Sequence, residues 1–154
     1  YFNECNGIIF NANDCFASKG FIYARIQVEN IFFDIYNTHL DAGGSRNDRI
    51  VRANQLSTLK QYIYNKSYGK NIIICGDLNI DYLGQESNLI YDLNRDLELE
   101  FIEWDEKYYL DNKIDYIFYS KSFTSLKANT PDTLFHLSDH PPMSAHLKII
   151  EQKE

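Results

Sequence analysis

Apolar and polar positions alternate over much of this chain, and polar residues gather where the alternation stops. In Phe21-Ile22-Tyr23-Ala24-Arg25-Ile26-Gln27-Val28, residues Ile22, Ala24, Ile26 and Val28 share one face of a strand, and Arg25 and Gln27 lie on the other. Successive side chains of an extended backbone point to opposite sides, so this period of two predicts a half-buried strand. The turn pair Glu29-Asn30 follows. Ile31-Phe32-Phe33-Asp34-Ile35-Tyr36-Asn37-Thr38 then reads as a second strand that ends at His39. Two such runs joined by a short turn predict an antiparallel hairpin.

Further along, Asp41-Ala42-Gly43-Gly44-Ser45-Arg46-Asn47 is a loop by composition. Asp48 is placed to cap a helix running to about Lys66, along which Leu56, Leu59 and Ile63 recur at helical spacing. Asn71-Ile72-Ile73-Ile74-Cys75 is short and wholly apolar between polar neighbours, the pattern of a strand covered on both faces, and Gly76 opens a loop after it. The stretch from Gln85 to Leu97 reads as a helix, although Leu97-Glu98-Leu99-Glu100-Phe101 alternates like a strand. Lys113 to Tyr119 and Met143 to Ile149 read as strands, the second with a clean period of two. Strand runs interleaved with helices, at least one hairpin among them, predict an α+β fold in which helices cover a mixed, largely antiparallel sheet.

A chain of 154 residues, 44% hydrophobic and 15% aromatic, suffices for one compact domain. A domain of that size removes roughly 68–70% of its unfolded surface from water. No apolar run approaches the ~20 residues needed to span a bilayer, and Tyr1-Phe2-Asn3-Glu4-Cys5-Asn6 does not read as a signal peptide. A soluble chain of open localisation is expected. Because it starts at Tyr1 and not at a methionine, a longer precursor or an excised fragment is expected too. Cys5, Cys15 and Cys75 have neither a zinc-type pair spacing nor an even count; Cys75 reads as core and the other two stay open. A net charge of −7 argues against holding nucleic acid through a broad basic face. A bound cation can still neutralise a phosphate locally.

The residues able to bind metal or move protons fall at the ends of the runs: His39 after the second, Asp77 and Asn79 after the third, Asp139 and His140 before the last. Asp115 differs in lying within a strand-like run. Each has an ordinary explanation alone. Gly76-Asp77-Leu78-Asn79 has turn composition, Ser138-Asp139-His140-Pro141 suits a capped loop, Asp115 suits a solvent face, and a lone histidine is most often structural. Brought to one sheet edge, however, they would meet the needs of phosphate-ester hydrolysis. Carboxylates suit a metal that neutralises phosphoryl charge, and a histidine held by an aspartate suits proton transfer near neutral pH.

Asn37-Thr38-His39-Leu40, Gly76-Asp77-Leu78-Asn79, Ile114-Asp115-Tyr116-Ile117 and Ser138-Asp139-His140-Pro141, in this order, resemble the C-terminal motifs of the endonuclease/exonuclease/phosphatase superfamily. The resemblance runs from about residue 7 to residue 149. Asn37-Thr38-His39-Leu40-Asp41-Ala42-Gly43, followed by Arg52 and Gln55-Leu56, is most similar to the sphingomyelinase-like branch. The resemblance implies a metal-dependent (Mg²⁺, with Mn²⁺ as the alternative) phosphoesterase on a four-layered, DNase I-like α/β sandwich. It further implies that His140 is the catalytic imidazole, Asp115 orients it and Asp139 binds metal. Asp77 would position or deprotonate the attacking water, Asn79 would donate to a phosphate oxygen, and His39 would stabilise the transition state or protonate the leaving group. Whether Asp77 or His140 is the base stays open, since a coupled pair can share that role.

The departure from the family pattern is one of length. Members are nearly twice as long, and their N-terminal half supplies a metal-binding glutamate. Glu4 is a poor substitute, because Gly7-Ile8-Ile9-Phe10 right after it resembles a strand well downstream of that glutamate. The chain is therefore expected to be a single partial domain, with the missing half or a second chain completing the sheet and the metal site. The expected activity is a phosphodiesterase acting on a lipid head group, phosphoinositide or other small phosphate ester. The alternatives are a nuclease or inositol-phosphate phosphatase of the same superfamily, with Lys19, Arg25, Arg46, Arg49 and Arg52 as a local basic patch, and a non-catalytic binding module. His136, His146, Trp104 and the pair Tyr108-Tyr109 read as non-catalytic or undecided.

Overall fold

The structure, a computed structural model, describes residues 1–5, 18–103, 113–129 and 138–150. The expectations for Gly7 to Phe10, Cys15, Trp104, Tyr108, Tyr109 and His136 lie outside the described residues. Strands β1 (Gly20–Val28) and β2 (Ile31–His39) form the expected hairpin, in register from Gly20 opposite His39 to Val28 opposite Ile31. Helix α1 (Arg46–Ser67) carries the chain back to β3 (Asn71–Asp77), which pairs with β2 in parallel. Parallel neighbours require such a crossover, because a tight turn can only reverse the chain.

The start of α1 lies two residues before the expected one. Ser45 is the N-cap, accepting from the Asp48 backbone N–H, and Asp48 returns the favour from the third helical position by accepting from the Ser45 N–H. This capping box satisfies two of the helix's orphan donors. Helix α2 (Ser87–Asp96) and the three-residue strand β4 (Leu99–Phe101) divide the region where helical and alternating patterns competed, so both signals were real. Strand β5 (Asp115–Ser120) lies antiparallel between β3 and β4, giving the order β1-β2-β3-β5-β4. Strands β6 (Phe123–Asn129) and β7 (Ser144–Ile149) form a separate antiparallel pair. The sequence does not announce β6: a register shift between Ser125 and Lys127 breaks its period, and Leu126 is exposed.

One face of the large sheet packs on the helices. Tyr36, Ile72, Ile74, Tyr116 and Phe118 from the strands meet Leu56, Leu59 and Ile63 of α1 and Ile90 and Leu93 of α2. The other face meets the β6–β7 pair through Ile73, Ile117, Tyr119, Phe123, Leu147 and Ile149, while His146 takes the exposed phase of β7 as its alternation predicts. Strand β1 reverses the expectation drawn from its pattern. Ile22, Ile26 and Val28 are 71%, 44% and 55% exposed, while Phe21 and Tyr23 pack into the helix-side core and Arg25 pairs with buried Asp34. A period of two identifies the two faces of a strand; which of them is covered depends on what lies above it. Cys75 is half-buried and free, whereas Cys5 is disulfide-bonded, a bond that an odd count of three does not advertise. Among the described residues, no helix is long and apolar enough to cross a membrane.

Gly76 sets how closely β3 can approach β2. Its φ is +134°, and a Cβ there would lie 1.9 Å from the Thr38 carbonyl oxygen. Gly76→Ala is expected to destabilise the fold by about 2–4 kcal/mol, combining left-handed strain with overpacking. Urea denaturation of the two chains checks this, and an unchanged midpoint would contradict the close approach.

Candidate active site

The register puts the chemistry in one line. His39 is the Cα partner of Asp77 across β2 and β3, and Asp77 is the partner of Asp115 across β3 and β5. Asp115 thus lies in a strand as its run predicts, and as the first residue of β5 it stands at the sheet end where β2 and β3 finish. Three residues distant in the chain become neighbours because two parallel strands end where an antiparallel one begins.

His140 reaches the same edge from the loop before β7. Its Nδ1 lies 2.7 Å from Asp115 Oδ2, and its Nε2 faces Asp77 Oδ2 at 4.0 Å. Asp77 Oδ2 also lies 3.5 Å from His39 Nε2, so this oxygen stands between two imidazoles. With Nδ1–H donating to Asp115, the neutral His140 ring carries its lone pair on Nε2, the nitrogen that points towards Asp77. Ser138 braces the loop by accepting the His140 backbone N–H at 3.1 Å.

The turn after Asp77 is held as firmly. Asp77 Oδ1 accepts the Asn79 N–H at 2.7 Å, and Asn79 adopts a φ of +51°, a conformation asparagine tolerates better than most residues. The Asn79 side-chain Nδ2 donates to the Leu40 carbonyl at 3.0 Å, and Lys19 Nζ donates to that same oxygen at 3.1 Å. No side-chain motif advertises this carbonyl, because its position follows from the backbone alone. Glu4 stays on the α1 surface, where its carboxylate accepts from Asn54 and its carbonyl from Gln55. Asp139 is exposed, accepts a long 3.4 Å bond from Ser138, and stands outside the Asp77–Asp115–His140 group.

The electrostatics follow from this packing. Burial pushes the Asp77 carboxyl up, the Asn79 N–H pulls it down, and Asp115 raises it again, so it is held above the usual carboxylate range. The bond to Asp115 raises His140 above its ordinary 6.5, against the opposing effect of partial burial. One carboxylate oxygen of Asp77, one of Asp115 and a ring nitrogen of His140 all lie within 4.8 Å of one another. Such a set suits a hard divalent cation by its oxygens, although Asp115 is already engaged with His140. The expected basic patch dissolves in part. Arg52 is buried and bonded to Glu86 and to the Asp41 and Gly43 carbonyls, and Arg25 is bonded to Asp34.

A sphingomyelinase C from Leptospira interrogans serovar Lai is 34% identical over 140 residues, covering 74% of this chain and 22% of that protein. An endonuclease/exonuclease/phosphatase structure from Beutenbergia cavernae superposes with a TM-score of 0.72 at 17% identity, over 85% of this chain and 39% of that one. The chain belongs to the endonuclease/exonuclease/phosphatase superfamily. A mutant of the superfamily's Staphylococcus aureus beta toxin, solved with bound magnesium ions, superposes with a TM-score of 0.62 at 21% identity, over 88% of this chain and 60% of that one. No family model matches the chain. The chain thus spans less than a quarter of the Leptospira superfamily member's length.

The raised His140 gives a signed prediction. Its ion pair with Asp115 stabilises the metal-free fold fully below pH 6.5, and that contribution drains away as pH rises through the elevated folded-state value. An NMR titration in EDTA should place the His140 ring above 6.5, and Asp115→Asn should lower it. A ring titrating below 6.5 in the folded chain would contradict the pairing.

Proposed function

We propose that the protein is a metal-dependent phosphodiesterase of the sphingomyelinase-like kind, hydrolysing a lipid or other small phosphate ester. The observation that carries this reading is the continuous series His39–Asp77–His140–Asp115, which brings two imidazoles and two carboxylates to one end of the sheet. The sphingomyelinase relative supports the substrate class, and the net charge of −7 favours a small ester over duplex nucleic acid.

In this reading a water sits between Asp77 Oδ2 and His140 Nε2 and gives its proton to that pair as it attacks phosphorus. Asp115 keeps the His140 ring in the competent tautomer and stabilises its positive charge, as a carboxylate does behind any catalytic imidazole. His39, more than half exposed, stands on the other side of Asp77 and delivers a proton to the departing oxygen. The Asn79 amide carries two N–H groups. One holds Leu40 and the other is available to a phosphate oxygen. A divalent cation, Mg²⁺ or Mn²⁺, would draw on the Asp77 carboxylate, and Asp139, exposed and outside the Asp77–Asp115–His140 group, would join it directly or through water. Such a cation supplies charge that offsets the developing phosphoryl anion. A further protein layer against Ile22, Ile26 and Val28, from another segment or a second chain, would cover the exposed face of β1 and bring the remaining metal ligand.

The test is hydrolysis of sphingomyelin, a phosphoinositide and DNA by the full-length protein, with and without EDTA. Turnover of sphingomyelin should require the added metal, and His140→Ala should reduce it by about 10²–10⁴-fold with unchanged circular dichroism. If none of the three substrates is cleaved, or if the variant matches the parent, this reading fails.

A further inference from the structure

The chain leaving β3 runs along the catalytic end of the sheet. The Leu78 N–H donates to the Ile114 carbonyl at 2.8 Å and the Tyr82 N–H to the Lys113 carbonyl at 3.1 Å, so residues 78–82 lie beside the segment that enters β5 at Asp115. The buried Tyr116 hydroxyl pins the two segments together, 2.7 Å from the Ile80 carbonyl and 3.0 Å from that of Lys113. Leu78 and Ile80 are fully buried here. Leu83, the next aliphatic side chain, is 84% exposed.

The backbone imposes that exposure. The Gly84 N–H donates to the Asp81 carbonyl at 3.0 Å and the Leu83 N–H to the Asp81 carboxylate at 3.1 Å, which closes a tight turn with Leu83 at its third position. A Cβ on Gly84 would come within 3.0 Å of the Asp81 Cβ, so a glycine suits the end of this turn. Turn positions are dominated by glycine, proline and small polar residues, and a leucine is the exception. One exposed apolar side chain is ordinary by itself. Here it is held out on a braced turn at the end of the sheet that carries the catalytic row, beside Tyr82, whose ring packs 5.8 Å from the half-exposed Tyr91 of α2. An apolar tip with amphipathic tyrosines next to it is the composition of a segment that sits at a membrane interface.

Charge selects the kind of membrane. From Leu78 to Asp92 the chain carries Asp81, Glu86 and Asp92 and no lysine, arginine or histidine. Lys113, at the base of the loop, is buried against the Tyr82 and Phe101 rings. Anionic leaflets attract basic segments, and an acidic loop is repelled by them. A zwitterionic surface offers its apolar interior without that repulsion.

We propose that Leu83 is a membrane-surface anchor, dipping between the headgroups of a zwitterionic bilayer and setting the catalytic edge against the lipid. The proposal deepens the lipid-phosphodiesterase reading above and rests on it.

The experiment uses the full-length protein and compares Leu83→Gln, close in size but polar, with Leu83→Trp, which keeps an apolar tip. Two quantities are measured: binding to phosphatidylcholine vesicles by co-sedimentation, which needs no turnover, and kcat/KM for a soluble phosphodiester. The parent should bind the vesicles, and Leu83→Gln should weaken that binding by about tenfold, as expected from losing much of one leucine's transfer out of water. Leu83→Trp should bind at least as tightly as the parent. Both variants should cleave the soluble ester within about twofold of the parent. Replacing part of the phosphatidylcholine by phosphatidylserine should loosen the parent's hold. A parent that ignores the vesicles, a Leu83→Gln that binds them as the parent does, or a tighter hold on phosphatidylserine overturns the proposal. So does an equal loss on the soluble ester, because the loop then serves the site itself. If Leu83→Gln dissolves a dimer that the parent forms without lipid, the tip belongs to a second copy and the lipid anchor falls. A parent that binds vesicles through Leu83 yet cleaves no phosphodiester sinks the hydrolase reading and leaves the anchor standing.

Discussion

Everything at the candidate site depends on the parallel pairing of β2 with β3. It sets His39 level with Asp77, and antiparallel β5 then brings in Asp115 at the same level. If β3 slipped by one residue against either neighbour, every side chain would move to the opposite face of the sheet and the line would be lost. Gly76 makes the spacing achievable, since no side chain would fit between it and the Thr38 carbonyl. The histidine loop adds to this platform without creating it: His140 finds Asp115 because Asp115 is already in place.

Polar groups buried away from the site keep that platform rigid. Asp34, 1% exposed within β2, accepts from Arg25, Tyr23 and the Ser67 hydroxyl at the end of α1, and Ser67 also bonds the Tyr36 hydroxyl. Burial alone would raise the Asp34 carboxyl, but those hydrogen bonds outweigh it and hold it at about 2. At the other end of α1, Arg52 joins the loop after His39 to the start of α2 through the Asp41 and Gly43 carbonyls and Glu86. Buried polar groups left unpaired cost heavily, so networks satisfied in this way favour one arrangement of the helix over the sheet. The sequence resemblance had singled out Arg52 and Gln55, and the structure gives them this bracing work: Gln55 accepts the Asp41 N–H.

Much of the fold was legible because its elements follow simple periods. The β1–β2 hairpin, α1, β3 and β7 announce themselves by alternation, helical spacing or an unbroken apolar run. The failures share a cause in context. Strand β6 hides behind a register shift, and β1 exposes the face its pattern marks as apolar. Neither depends on local preference; each depends on a neighbour supplied from elsewhere in the chain.

The sequence alone determined the chemical inventory: two histidines, three aspartates and an asparagine, in an order and local setting that resemble a phosphoesterase family. Only the tertiary structure decided that His39, Asp77 and Asp115 share one row, that His140 turns Nδ1 to Asp115 and Nε2 to Asp77, and that the Leu40 carbonyl gathers Lys19 with Asn79. The reason is physical. Side-chain periodicity is written into consecutive residues, whereas a hydrogen-bond register between distant strands is a property of the pair and takes its value only when both are packed.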